Sequence, residues 1–148
     1  MIEKFQYYLE ENLVKKVKPN KEEAKSLMDS AIKRLEFIKK QEIDDSTAKF
    51  IFEDVYETLR EASQSLMSIK GYKPYSHEAV ISFLIEFYNF SKYEISTFDR
   101  YRILRNKAVY SAYKISILTC KDALKFLETF LPKLKARFEK EIKWVKYF

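Results

Sequence analysis

The stretch RYRILRNKAVYSAY, Arg100 to Tyr113, holds the residues best suited to chemistry. Arg105 and Asn106 are adjacent, and an aromatic, Tyr110, follows five residues after the arginine. On a helix, at about 100° per residue, Asp99, Arg102, Asn106, Tyr110 and Tyr113 fall within about 80° of one another and make one polar stripe. Tyr101, Leu104, Ala108 and Ala112 line the opposite, core-facing side, and Arg105 lies at the boundary, close to Phe98 and Val109. Arginine, asparagine and tyrosine along one edge present donors suited to a phosphate or a carboxylate. The competing assignment is structural: Arg102 pairs with Asp99, and the tyrosines pack against a neighbouring helix.

Proton transfer is harder to place. Tyrosine titrates near about 10 and histidine near about 6.5, so Tyr110 is poorly poised as a general base at neutral pH. The chain has one histidine, His77, directly after Ser76. It is either a residue at a helix start or a side chain that reaches the Arg105 cleft and supplies a base there. Cys120 is the single cysteine and has no His or Cys cluster around it in sequence. A metal site is therefore unsupported, an internal disulfide is impossible, and core packing is the expectation for its thiol. No glycine-rich phosphate loop is present, and no cofactor is expected.

The elements that must hold these residues read as all-α. One glycine, Gly71, and three prolines are far too few turn residues for a β-rich domain. A first helix is expected over about Ile2 to Val17, stopped near Pro19. Asn20 with Glu23 forms a capping-box pattern for the second. There Ala24, Leu27, Met28, Ala31, Ile32, Leu35 and Ile38 make one apolar stripe. Asp45 or Ser46 is the expected N-cap of a third helix, which carries Ala48, Ile51, Phe52, Val55, Leu59, Ala62, Leu66 and Ile69. Gly71 is placed to end it in a left-handed cap. GYKPYS reads as a loop, and Ser76 opens a fourth helix, HEAVISFLIEFYNF, apolar almost all round and so central. Ser96 and Asp99 have cap spacing for a fifth helix over about Thr97 to Ala112. YKISIL breaks the helical period, and Thr119 with Asp122 has cap spacing for a sixth helix. Pro132 either kinks that helix or begins a separate segment. The expected fold is an up-and-down bundle of five or six helices in a single domain over residues 1–148, with 1–18 an extra N-terminal helix and 133–148 a basic C-terminal helical extension.

Composition bounds the partners. The net charge is +6, from 28 basic and 22 acidic residues. Lys133 to Phe148 alone carries six bases and two acids. This bias is compatible with a polyanion such as RNA and equally with an ordinary surface rich in both signs. Twelve Phe, eleven Tyr and one Trp exceed what a core needs and leave tyrosines for a surface or an interface. No apolar run approaches the roughly 18 residues of a membrane span, and MIEKFQYYLEEN is unlike a secretory signal. A soluble cytoplasmic protein without a membrane partner is expected.

RILRNKAVYSAY, after a capped helix and before a period break and a final helix, resembles the signature of the HEPN superfamily. GYKPYSHEAVISFL ahead of it is similar to the corresponding stretch of family members. The signature is an arginine, usually followed by a polar residue, then four to six residues to a histidine. Arg105 and Asn106 match its first half, and Tyr110 occupies the histidine slot. The resemblance covers roughly Asn20 to Phe138 and implies a HEPN-like helical bundle. It also implies a homodimer in which two signature helices meet across a two-fold axis and form a composite cleft. Many members are metal-independent ribonucleases. Others bind nucleotides or partner proteins, and some are toxins restrained by a nucleotidyltransferase antitoxin that modifies a tyrosine two residues past the histidine. That position is Ala112 here, one short of Tyr113. With Tyr110 in the slot, the resemblance implies a non-catalytic binder of RNA, a nucleotide or a nucleotidyltransferase-like protein. Arg102, Arg105, Asn106, Tyr110 and Tyr113 would be the binding residues. The alternative is an atypical ribonuclease or toxin-type protein using Arg105, Tyr110 and His77.

Overall fold

The computed structural model describes residues 1–145. The described residues fold as six helices and one small two-stranded sheet: α1 (Phe5–Glu10), β1 (Val14–Lys16), α2 (Lys21–Lys39), α3 (Ala48–Lys70), β2 (Tyr72–Pro74), α4 (His77–Phe87), α5 (Lys92–Tyr110) and α6 (Ile117–Val145). It is an all-helical bundle built on α3. That helix buries residues on most of its circumference, among them Phe52, Tyr56, Leu59, Ala62 and Leu66. The helices α2, α4, α5 and α6 all pack against it.

Local chemistry sets most of the boundaries. The Asn20 side chain accepts from the Glu23 amide at 2.9 Å and starts α2. Ser76 Oγ accepts from the Ala79 amide at 3.2 Å and starts α4. Gly71 ends α3 with φ of 85° and ψ of 48°, the left-handed cap expected of it. Burial along α4 runs without a break from Ala79 to Leu84, as its all-round apolar pattern predicts, but the helix stops at Phe87, and Tyr88, extended, leaves Tyr88–Phe90 of the expected helix outside it.

Several expectations are corrected. The first helix does not run to Val17. It stops at Glu10, Asn12 takes a left-handed φ of 59°, and Val14–Lys16 becomes a strand. Its partner is β2, in the segment read as a loop, antiparallel with Lys15 opposite Lys73 and Lys16 opposite Tyr72. This pairing joins residues almost sixty apart in sequence, so no local signal reports it. The N-cap of α3 is Thr47, not Asp45 or Ser46, and Asp44 organises the turn before it, accepting from the amides of Ser46 (2.8 Å) and Thr47 (3.0 Å). The fifth helix begins at Lys92, where Ser91 and Glu94 form a full capping box, and not at Thr97. The sixth helix begins at Ile117, with Ser116 Oγ accepting from the Thr119 amide at 3.0 Å.

Pro132 lies inside α6, which continues past it as one helix. Phe130, Leu131 and Leu134 are buried on either side of the proline and hold both halves to the bundle. The basic C-terminal segment is thus the continuation of α6. The last three residues of the expected extension, Lys146 included, lie outside the described residues.

Candidate functional site

Three helices converge on Tyr56. It stands in mid-α3 and is 1% exposed. Phe98 of α5 packs edge-on against its ring, with centroids 6.0 Å apart. His77, the first residue of α4, lies parallel to it at 5.6 Å and 3°, and His77 Nδ1 is 2.9 Å from the Tyr56 hydroxyl. Arg105 of α5 brings its guanidinium carbon to 6.0 Å from the centre of the same ring. Arg60, one turn beyond Tyr56 on α3, is held by Glu57, with Arg60 Nε donating at 3.0 Å.

The hydrogen-bond direction between Tyr56 and His77 follows from burial. Burial pushes the tyrosine hydroxyl far above its ordinary range, against the opposing charges of Arg102 and Arg105, so it keeps its proton. A buried hydroxyl needs an acceptor, and leaving one without a partner costs about 1–3 kcal/mol. His77 Nδ1 is the partner the described residues provide. Tyr56 therefore donates to Nδ1, and the neutral ring carries its proton on Nε2. His77 is held neutral by burial first and then by the charges of Arg105 and Arg60, all of which lower its pKa. In this state it is a hydrogen-bond donor at Nε2, where a general base would need a lone pair.

The lowered pKa has a consequence for stability. His77 takes up a proton less readily folded than unfolded, so the unfolded chain binds more protons below the ordinary histidine value of about 6.5. Stability is present in full above that value and falls as pH drops through it. His77 is the only histidine, and carboxylates titrate lower, so denaturant melts between about pH 7.5 and 5 isolate it. The expected result is a declining midpoint in the wild type and a flatter profile in His77→Gln.

The other sequence candidates separate into three groups. Arg102 is 8% exposed, and its guanidinium is engaged by carboxylates: Nε to Asp99 at 2.7 Å, and Nη1 to Glu78 of α4 at 3.5 Å. The pairing of Arg102 with Asp99 is the structural assignment; this arginine pins α5 to α4 and is not available to a ligand. Asn106 is half-buried beside Arg105 and accepts from it at 3.5 Å. Tyr110 is 79% exposed at the last turn of α5, about 140° around the helix from Arg105, and Tyr113 lies past the helix end. Neither tyrosine joins the His77 cluster. Ala112, with φ of 55°, is likewise outside the helix.

The polar stripe is thus rotated from its expected position. The buried positions Thr97, Phe98, Tyr101, Arg102 and Ala108 span about 140° of α5, and Arg105 falls near their middle. Arg105 points into the bundle, half-buried, and among the described residues it forms no ion pair with a carboxylate. Sequence reasoning missed Tyr56 and Arg60. The available signal was a hydroxyl and a cation four residues apart beside an otherwise apolar stripe.

Cys120 is fully buried, and burial pushes its thiol up to about 11, which makes it a packing residue. Among the described residues no group of His, Cys, Asp and Glu side chains could hold a metal ion, and no helix is long and apolar enough to cross a membrane. No family model, no curated protein and no solved structure matches the chain.

Proposed function

We propose that this is a HEPN-like dimeric protein that binds the phosphate of an RNA or a nucleotide without cleaving it. The observation that carries this reading is the half-buried Arg105, without a carboxylate partner among the described residues, over the same Tyr56 ring whose hydroxyl lies 2.9 Å from His77 Nδ1. A guanidinium placed this way offers two parallel donors to a phosphate, and the desolvated setting strengthens them. Asn106 adds an amide at the same edge. Two exposed residues on one face of α5, Ile103 and Tyr110, supply apolar surface for a two-fold contact between copies or for a nucleotidyltransferase-like partner. Tyr110 then serves association or stacking, and its exposure suits both.

The ribonuclease alternative needs a base. With the Nε2 proton in place, His77 gives none, and Tyr110 lies on another side of α5. The expected behaviour is binding of RNA without cutting.

Arg105 provides the test. Arg105→Ala is expected to weaken binding of a mononucleotide by about 1.5–3 kcal/mol, the range for charge-assisted hydrogen bonds, and Arg105→Lys to fall between. Calorimetric titration measures this, with thermal melts and light scattering on the same samples. Unchanged affinity in a folded Arg105→Ala protein, or cleavage of RNA by the wild type, contradicts the proposal.

A further inference from the structure

The β1–β2 ribbon gathers charge that the sequence keeps apart. From Asn12 to Lys21 the chain has Lys15, Lys16, Lys18 and Lys21 and no acid; from Ala62 to His77 it has Lys70 and Lys73 and no acid. The antiparallel pairing lays these two acid-free segments side by side. The ribbon extends at both ends, with the Tyr75 amide donating to Leu13 O and the Val17 amide donating to Gly71 O, each at 2.8 Å.

Strand alternation sorts the side chains into two faces. Val14, Tyr72 and Pro74 turn toward the bundle, where Tyr72 meets Phe5, Phe83 and Phe87. Lys15, Lys73 and Tyr75 turn outward. Lys15 and Lys73 stand directly opposite each other, an arrangement that destabilises a strand pair. Both ammonium groups approach the exposed Tyr75 ring, at 5.4 and 5.6 Å from its centre. Lys70 pairs with Glu141, but among the described residues Lys15, Lys16, Lys18 and Lys73 form no ion pair. A like-charge pair around an exposed aromatic, maintained at a cost in stability, calls for an anionic ligand that neutralises it.

We propose that the outward face of this ribbon binds single-stranded nucleic acid, with a base stacked on Tyr75 and phosphates on Lys15 and Lys73. A cation-flanked aromatic is the arrangement that binds unpaired strands, because a base with a free face stacks on the ring while the flexible ammonium groups swing onto the phosphates. A duplex hides its base faces and gains only the charge contacts. An anionic membrane is the poorer fit: beside the two ammonium groups and the hydroxylated ring, the exposed aliphatic residue that strand alternation adds to this face is Val17, too small to serve as a membrane wedge. This site is separate from the Arg105 cleft and does not depend on it.

The test uses the full chain and a fluorescent oligouridylate of roughly ten nucleotides, within the footprint range of single-strand binders. Affinity is measured by anisotropy across a salt series. The wild type is expected to bind with a steep salt slope. The double variant Lys15→Ala, Lys73→Ala should lose about 1.4 from the magnitude of that slope, about 0.7 for each phosphate contact. The same variant should melt higher than the wild type, since it relieves the like-charge pair. Tyr75→Ala should weaken binding about 10- to 100-fold with the slope retained, and Tyr75→Leu, which keeps apolar bulk, should also weaken it. Mononucleotide affinity at Arg105 should be unchanged by the double lysine variant, so either proposal can fail alone. An unaltered slope in the lysine variant overturns the ribbon site. So does equal binding of a duplex regardless of Tyr75, or retention on phosphatidylserine vesicles without oligonucleotide binding.

Discussion

Arg102→Ala is expected to destabilise the fold by about 3 kcal/mol, the lower end of the cost of breaking a buried ion pair. The lower end applies because Glu78 is 44% exposed and water can resolvate it, whereas Asp99 is 22% exposed and loses its close partner. In a domain of this length that shift corresponds to a melting point lower by roughly 6–12 °C. Arg102→Met fills the space without the charge and should recover part of the loss. Nucleotide affinity of the folded fraction should stay near wild type, in contrast to Arg105→Ala. Two arginines three residues apart would thus divide architecture from binding. A stable Arg102→Ala protein with weakened nucleotide binding would reverse the assignment.

The second large effect is expected at Gly71. Its φ of 85° is left-handed, and a Cβ there would lie 2.6 Å from the carbonyl oxygen of Val17. The left-handed conformation alone costs a side chain about 1–2 kcal/mol. The overlap is with backbone, so relief requires β1 to move away from β2. Gly71→Ala should therefore cost at least about 2 kcal/mol and loosen the ribbon. Hydrogen exchange reads the second effect: the Val17 amide, which donates to Gly71, should lose protection while α3 amides retain theirs. A loss of stability with ribbon protection intact would place the strain in the helix cap alone.

These two positions also show what the sequence discloses. Gly71 was legible as a left-handed cap because a lone glycine after a long apolar stripe has one common use. Its second role, admitting Val17, depends on a partner segment more than fifty residues away and leaves no local mark. The caps at Asn20 and Ser76 were legible because they involve neighbours three residues apart. The start of α5 was misread because Ser91–Glu94 and Ser96–Asp99 have equal spacing. Burial of Thr97 and Phe98 and the use of Asp99 by Arg102 favour the earlier pair.

The site was half legible. Arg105 and Asn106 stood out as donors, and His77 as the one histidine. That α3 would bring Tyr56 under both, and so fix which nitrogen of His77 carries the proton, is a property of three helices packing. The rotation of α5 that buries Arg102 and turns Arg105 inward has the same origin: a cation paired by carboxylates from two helices behaves as a core residue. Tyr110, conspicuous in the sequence, is carried by helical periodicity to the opposite side.

The most direct test of the anion site is a side-chain NMR titration with uridine 5′-monophosphate. Binding at the proposed place should shift the Arg105 Nε–H resonance and the His77 ring resonances together and leave Arg102 Nε–H, held by Asp99, nearly unmoved. Binding should also raise the pKa of His77, since a bound phosphate offsets the charges of Arg105 and Arg60. Shifts confined to the β1–β2 ribbon, or saturation with Arg105 and His77 unchanged, would contradict it.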